Sequence, residues 1–107
     1  MRELVLHSEA EAELLEATLW YFDREPRVAT RLLREFDRVA GLICAQPELF
    51  SIAREGSRPV IRRALLRRFP YGIVFTESAE TIHVIAFAHL RRAPDYWVDR
   101  LVAKKKP

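Results

Sequence analysis

Residues 71–90, YGIVFTESAETIHVIAFAHL, contain two apolar runs, Tyr71 to Glu77 and Thr81 to Leu90, separated by Ser78-Ala79-Glu80. Val, Ile, Phe and Tyr dominate both, and these residues suit pleated, half-buried strands. Three residues cannot make a parallel crossover, so the runs pair antiparallel. Just upstream, Ile61 to Arg67 forms a third strand-like run, turned into Tyr71 through Arg67-Arg68-Phe69-Pro70. The three make a meander, and a meander with one packed face needs a covering layer.

That layer lies earlier in the chain. Leu4-Val5-Leu6 reads as a short strand, and Ser8 stands three residues before Glu11 in a capping-box pattern. From Glu9 to Phe22, Leu14, Ala17 and Tyr21, joined by Leu15, Leu19 and Phe22, predict a helix with a broad buried stripe. Glu9, Glu11, Glu13 and Glu16 crowd its opening turns, where the helix dipole favours negative charge. Pro26 suits the start of a second helix, Arg27 to Ala45, whose Val28, Leu32, Phe36, Val39 and Ile43 repeat at three and four. Gly41 would allow close approach to the first helix, and Gln46-Pro47 ends the second. Residues 48–57 read as an irregular loop. Pro94 opens a last short helix through Tyr96, Trp97, Arg100 and Leu101. The order β-α-α-β-β-β-α predicts an α+β fold, a helix hairpin on a small, mainly antiparallel sheet with a short C-terminal helix.

A length of 107 residues fits one domain, expected over residues 1–103, with a basic tail at 104–107. Half the residues are hydrophobic and the net charge is +3, which excludes a disordered chain. No apolar run approaches a membrane span. Charge appears too early, at Arg2-Glu3, for a signal peptide, and the single Cys44 fits a reducing compartment as a core thiol. The expectation is a cytoplasmic domain with no membrane partner. Charge divides along the chain, at −4 over residues 1–53 and +7 over residues 54–107. All three lysines sit in Lys104-Lys105-Lys106, so the body is basic through fifteen arginines.

Arg58, Arg62, Arg63, Arg67 and Arg68 fall within eleven residues. On a continuous strand Arg62 and Arg68 share a face with Ala64 and Leu66, and Arg63 and Arg67 share the other with Ile61 and Leu65. Such a surface suits a phosphate backbone or an acidic peptide, and equally a charged edge that resists aggregation. A second constellation, His83, His89, Arg91, Arg92, Asp95 and Tyr96, brings together residue types of a general base, a phosphate clamp and a proton donor. The bland alternatives are a solvated strand end and a hydrophobic clamp made by Tyr96-Trp97. His7, His83 and His89 lack metal-ligand spacing, and with only Gly41, Gly56 and Gly72 there is no phosphate-cradling loop. No metal and no cofactor are expected.

Several segments together resemble the RelE/ParE superfamily of bacterial type II toxins. These are Ser8 to Leu14, Trp20-Tyr21, the helix ending in Gln46-Pro47, Arg68-Phe69-Pro70-Tyr71-Gly72-Ile73-Val74-Phe75, and Ile82 to Arg92 with its His-Leu-Arg-Arg close. The resemblance implies a helix hairpin on an antiparallel sheet and neutralisation by an antitoxin whose disordered C-terminal segment folds over the toxin. RelE-like members cut messenger RNA on the ribosome with arginines and a tyrosine or histidine. ParE-like members, the plasmid-stabilization branch, are associated with DNA gyrase inhibition. Tyr96 falls at the RelE-like tyrosine and His89 at a basic position, but Gly72 and Leu90 stand where the catalytic arginines belong, with Arg91 one residue off. This favours the ParE-like branch. It leaves His89, Arg91 and Tyr96 as weak catalytic candidates, and Arg58, Arg62, Arg63, Arg67, Arg68, Arg91 and Arg92 as candidates for binding antitoxin or target. A ribosome-dependent ribonuclease and a non-toxic antitoxin-binding member are the alternatives.

Overall fold

The computed structural model describes residues 1–104. Five strands, β1 (Glu3–Leu6), β2 (Ser51–Arg54), β3 (Ile61–Leu65), β4 (Tyr71–Glu77) and β5 (Thr81–His89), form one sheet in the order β1-β5-β4-β3-β2. Helices α1 (Ser8–Arg24) and α2 (Pro26–Ala45) form the expected hairpin, and α3 (Val98–Lys104) follows β5. The β3-β4-β5 meander is antiparallel, and β1 joins β5 in parallel, Glu3 opposite Thr81 and Leu6 opposite Val84. The connection from β1 to β5 contains the hairpin and three strands, ample length for a parallel neighbour.

Both faces of the sheet are covered. Ile73, Phe75, Ile82, Val84 and Phe87 pack under the hairpin against Leu32, Phe36, Val39 and Ile43. Ile61, Val74, Ile85, Ala86 and Ala88 pack on the other face around Trp97. A bulge makes this division possible. Between Val74–Ala86 and Phe75–Val84 the register slips, so that Ile85 and Ala86 share one face.

The structure corrects several sequence expectations. The segment expected as a loop, 48–57, holds the end of a 3-10 turn, Pro47–Leu49, and the edge strand β2. Its residues are mostly exposed, so it lacks the apolar alternation that would reveal it. β3 ends at Leu65, so Arg67 and Arg68 belong to the turn and take no part in the strand's face alternation. The cap of α1 is His7, whose Nδ1 accepts the Glu9 N–H at 3.1 Å, and Ser8 is the first helical residue. Only Ala10 and Ala17 of α1 are fully buried. Leu14 and Tyr21 are partly so, while Leu15, Leu19 and Phe22 lie exposed on the outer side. A Cβ on Gly41 would meet nothing within 4 Å, so helix packing does not require that glycine. Residues 94–97 are turns, and α3 starts at Val98 and continues through Lys104. The remainder of the expected basic tail, residues 105–107, lies outside the described residues. Among the described residues no helix is long and apolar enough to cross a membrane.

Candidate functional site

β1 stops at Leu6, opposite Val84, and β5 continues past it to His89. Two backbone groups of that extension find side-chain partners. The Phe87 N–H donates to Glu13 Oε1 at 3.0 Å, and Arg100 Nη1 donates to the Ile85 carbonyl at 3.0 Å. Glu13 reaches this point because it stands three residues after Ala10 and four before Ala17, on the buried face of α1.

Glu13 and Arg100 also pair with each other. Arg100 Nη1 lies 2.9 Å from Oε1 and Nη2 2.8 Å from Oε2, a two-pronged arrangement that suits a guanidinium and a carboxylate. The Tyr96 hydroxyl donates to Oε2 at 2.7 Å, and Arg92 Nη1 approaches the same oxygen at 3.2 Å. The Arg92 guanidinium lies 3.7 Å over the Tyr96 ring, and Glu9 adds a weaker contact to Arg100 at 3.5 Å. Burial opposes the Glu13 charge, but the hydrogen bonds from Arg100, Tyr96 and the Phe87 N–H outweigh it and lower the carboxyl pKa. The bond to Glu13 raises that of Arg100. Burial, and then the Glu13 carboxylate, push the Tyr96 phenol up.

Tyr96 is therefore held protonated, its hydrogen committed to Glu13. The His89 imidazole lines a groove of about 530 Å³ with Glu13, Trp20, Tyr21, Tyr71 and Arg92, and Tyr96 is not in its wall. His89 meets Tyr71 edge-on at 5.0 Å, and Tyr71 stacks flat on Phe87 at 4.6 Å. His89 Nδ1 accepts the Arg91 N–H at 3.0 Å, so in the neutral ring Nε2 carries the hydrogen and offers a donor. That arrangement presents no free lone pair for a general base. The Arg91 side chain is exposed beside it. Of the three catalytic candidates, Tyr96 is bound to Glu13, His89 borders the groove that Glu13 and Arg92 also line, and Arg91 meets His89 through its backbone. Gly72 lies under the Arg63 stem, where an added Cβ would come within 3.1 Å of Cγ and Cδ.

The other candidate arginines are scattered. Arg62 Nη1 donates to the Phe50 carbonyl at 2.7 Å, fastening the loop before β2. Arg63, Arg67 and Arg68 are exposed, and Arg58 lies in the exposed loop before β3. The Arg67 N–H donates to Glu35 Oε2 at 2.6 Å. Glu35 also takes both prongs of Arg38 at 2.8 Å, and that bond with the Arg67 N–H holds its pKa at about 2, despite opposing burial. Asp95 pairs with Arg54 at 2.7 Å. Cys44 is buried, and desolvation raises its thiol pKa. Among the described residues no three His, Cys, Asp or Glu side chains gather as a metal site.

Sequence reading placed Glu13 among four acids of an opening turn and gave Arg100 no role. The available signal was the spacing Ala10, Glu13, Ala17, which puts an acid on a buried face and demands a basic partner.

The architecture belongs to the class in which a helix hairpin covers a small mixed sheet, the fold expected from the toxin-like segments. Among solved structures, a chain from the chromosomal ParDE TA system of P. aeruginosa is similar, with a TM-score of 0.68 and 19% identity, covering 85% of this chain and 98% of that one. No family model matches the sequence, and no curated protein does.

Proposed function

We propose that this chain is the toxin of a bacterial type II toxin–antitoxin module of the ParE-like kind, acting by binding and inhibiting DNA gyrase. The observation that carries the reading is the shared fold with the ParDE chain over nearly that chain's whole length. The chemistry of the site supports the binding branch. Tyr96 is tied to Glu13, and the His89 ring offers a donor where a nuclease needs a base. Gly72 and Leu90 supply no cation to a developing phosphorane. The antitoxin's acidic segment folds over the exposed arginines of the β3 region and the end of β5, Arg58, Arg63, Arg67, Arg68, Arg91 and Arg92. Charge pairing there aligns a segment that adds a strand or helix to the surface.

One observation favours the RelE-type alternative, cleavage of messenger RNA on the ribosome: His89 and Arg92 share an open groove with exposed Trp20. Inducing the gene in a bacterial host tests both readings. The proposal expects growth arrest that the product of an adjoining short gene relieves, with translated messages intact by primer extension. Codon-phased cleavage abolished by His89→Ala would establish the ribonuclease instead, and normal growth on induction would leave only the non-toxic member of the fold.

A further inference from the structure

The charge asymmetry along the sequence hides a basic surface in the acidic half. Arg27, Arg31, Arg34 and Arg38 follow one another on α2 at spacings of four, three and four. At 3.6 residues per turn they fall within roughly 60° of arc and extend over about 16 Å of helix. All four are exposed. Across a groove of about 560 Å³ stand Arg67 and Arg68 from the β3-β4 turn, with Tyr21, Val28 and Phe69 between. Glu35 is the one acid in the wall, and it is committed to Arg38 and the Arg67 N–H. The side chains of Arg27, Arg31, Arg34 and Arg68 have no acidic partner among the described residues, and Arg67 feels only the charge of Glu35, which Arg38 already pairs.

Arg68 adds an independent sign. Its φ is 68°, the left-handed region that favours glycine or asparagine. Such a backbone is strained for a residue with a Cβ, and it persists where the surrounding structure or a use of the side chain maintains it. Here the side chain joins the second rail of the groove.

We propose that this surface binds the phosphodiester backbone of a nucleic acid, the α2 ladder forming one rail and Arg67 and Arg68 the other. Neighbouring rungs at three and four residues stand about 5–6 Å apart at Cβ, a regular step that suits a ligand with regularly repeated charge. An acidic peptide would also need an apolar seat, and that is taken. Tyr21 and Phe69 close on each other edge-to-face at 5.4 Å, both partly buried. The surface shares Arg67 and Arg68 with the face proposed for the antitoxin and Tyr21 with the His89 groove, but the α2 ladder lines neither, so this inference stands whether or not the gyrase reading holds.

The test is fluorescence anisotropy with a labelled 20-nucleotide single-stranded RNA and a labelled 20-base-pair DNA duplex, titrated from 50 to 200 mM salt. Four unpaired arginines predict a slope of log K against log salt of about −3 to −4 on duplex and about −2.5 to −3 on single strand. The arm that binds more tightly at the same salt identifies which nucleic acid the surface prefers. Arg31→Gln/Arg34→Gln/Arg68→Gln should weaken binding about 100-fold or more and flatten the slope by two to three, as about three lost phosphate contacts require. Arg31→Lys/Arg34→Lys should retain most of the affinity. Arg2→Gln/Arg24→Gln/Arg54→Gln, with equal loss of charge elsewhere, should bind within a fewfold of the parent. Circular dichroism verifies the fold of each variant. Absence of binding to both probes at 50 mM salt would overturn the proposal. So would equal losses in the two triple variants, or tighter binding of a poly-glutamate peptide than of either nucleic acid.

Discussion

Replacing Glu13 by leucine removes the acceptor of five hydrogen bonds, two from Arg100 and one each from Arg92, Tyr96 and the Phe87 N–H. Arg100 is only 8% exposed and keeps the Ile85 carbonyl, with the exposed Glu9 at 3.5 Å as its remaining acid. Leaving a buried charge without its partner costs about 3–5 kcal/mol. The orphaned Phe87 N–H adds about 1–3 kcal/mol if it stays dry. Glu9 and entering water offset part of this, which places the net loss at about 3 kcal/mol. For a chain of this size that lowers Tm by about 12–20 °C. Adding Arg100→Met to Glu13→Leu removes the stranded charge and should recover about 1–2 kcal/mol, since a hydrophobic pair can replace a buried ion pair at little cost. Urea denaturation of the four proteins in the cycle measures both quantities. A Glu13→Leu loss below about 1 kcal/mol, or a double variant no better than the sum of the singles, would refute the assignment of Glu13 and Arg100 as the clamp holding the C-terminal segment to β5.

Other consequences can be measured directly. Tyr96→Phe loses one hydrogen bond, about 1 kcal/mol, and should leave growth arrest intact; loss of arrest with the fold retained would make the phenol functional. The Glu35 carboxyl, depressed to about 2, contributes stability that is full above the ordinary carboxylate range and is lost as pH falls through its folded value. Urea midpoints of the parent and Glu35→Gln should therefore differ at pH 7 and converge towards pH 2. Cys44, buried and with its thiol raised, should react with a thiol reagent at pH 7.5 only as fast as the chain opens, and far faster in 6 M guanidinium. Leu32→Ala, at the fully buried centre of α2, should cost about 2–5 kcal/mol by chemical denaturation.

The periodicity of Leu32, Phe36, Val39 and Ile43 made α2 legible because burial imposes a single face on a helix. The apolar runs around Ser78-Ala79-Glu80 made the hairpin of β4 and β5 equally plain. Three things escaped. β2 is an exposed edge held by β3, so its sequence carries no burial pattern. The bulge at Ile85-Ala86 is invisible in a strand apolar on both faces, where a slip of one residue exchanges one hydrophobic contact for another. The α2 arginines were counted as a sum over residues 1–53, where acids that point elsewhere cancelled them. Net charge describes a segment, whereas binding depends on which side of a helix each charge occupies. In the expected constellation Tyr96 and Arg92 do meet, but around Glu13, and His89 shares with Glu13 and Arg92 a groove that Tyr96 does not line.

The central claim, a toxin that acts by binding gyrase, is tested most directly by a supercoiling assay with purified protein and relaxed plasmid. The account predicts that supercoiling falls as protein is added and returns when the cognate antitoxin is supplied. Full supercoiling at saturating folded protein would contradict it.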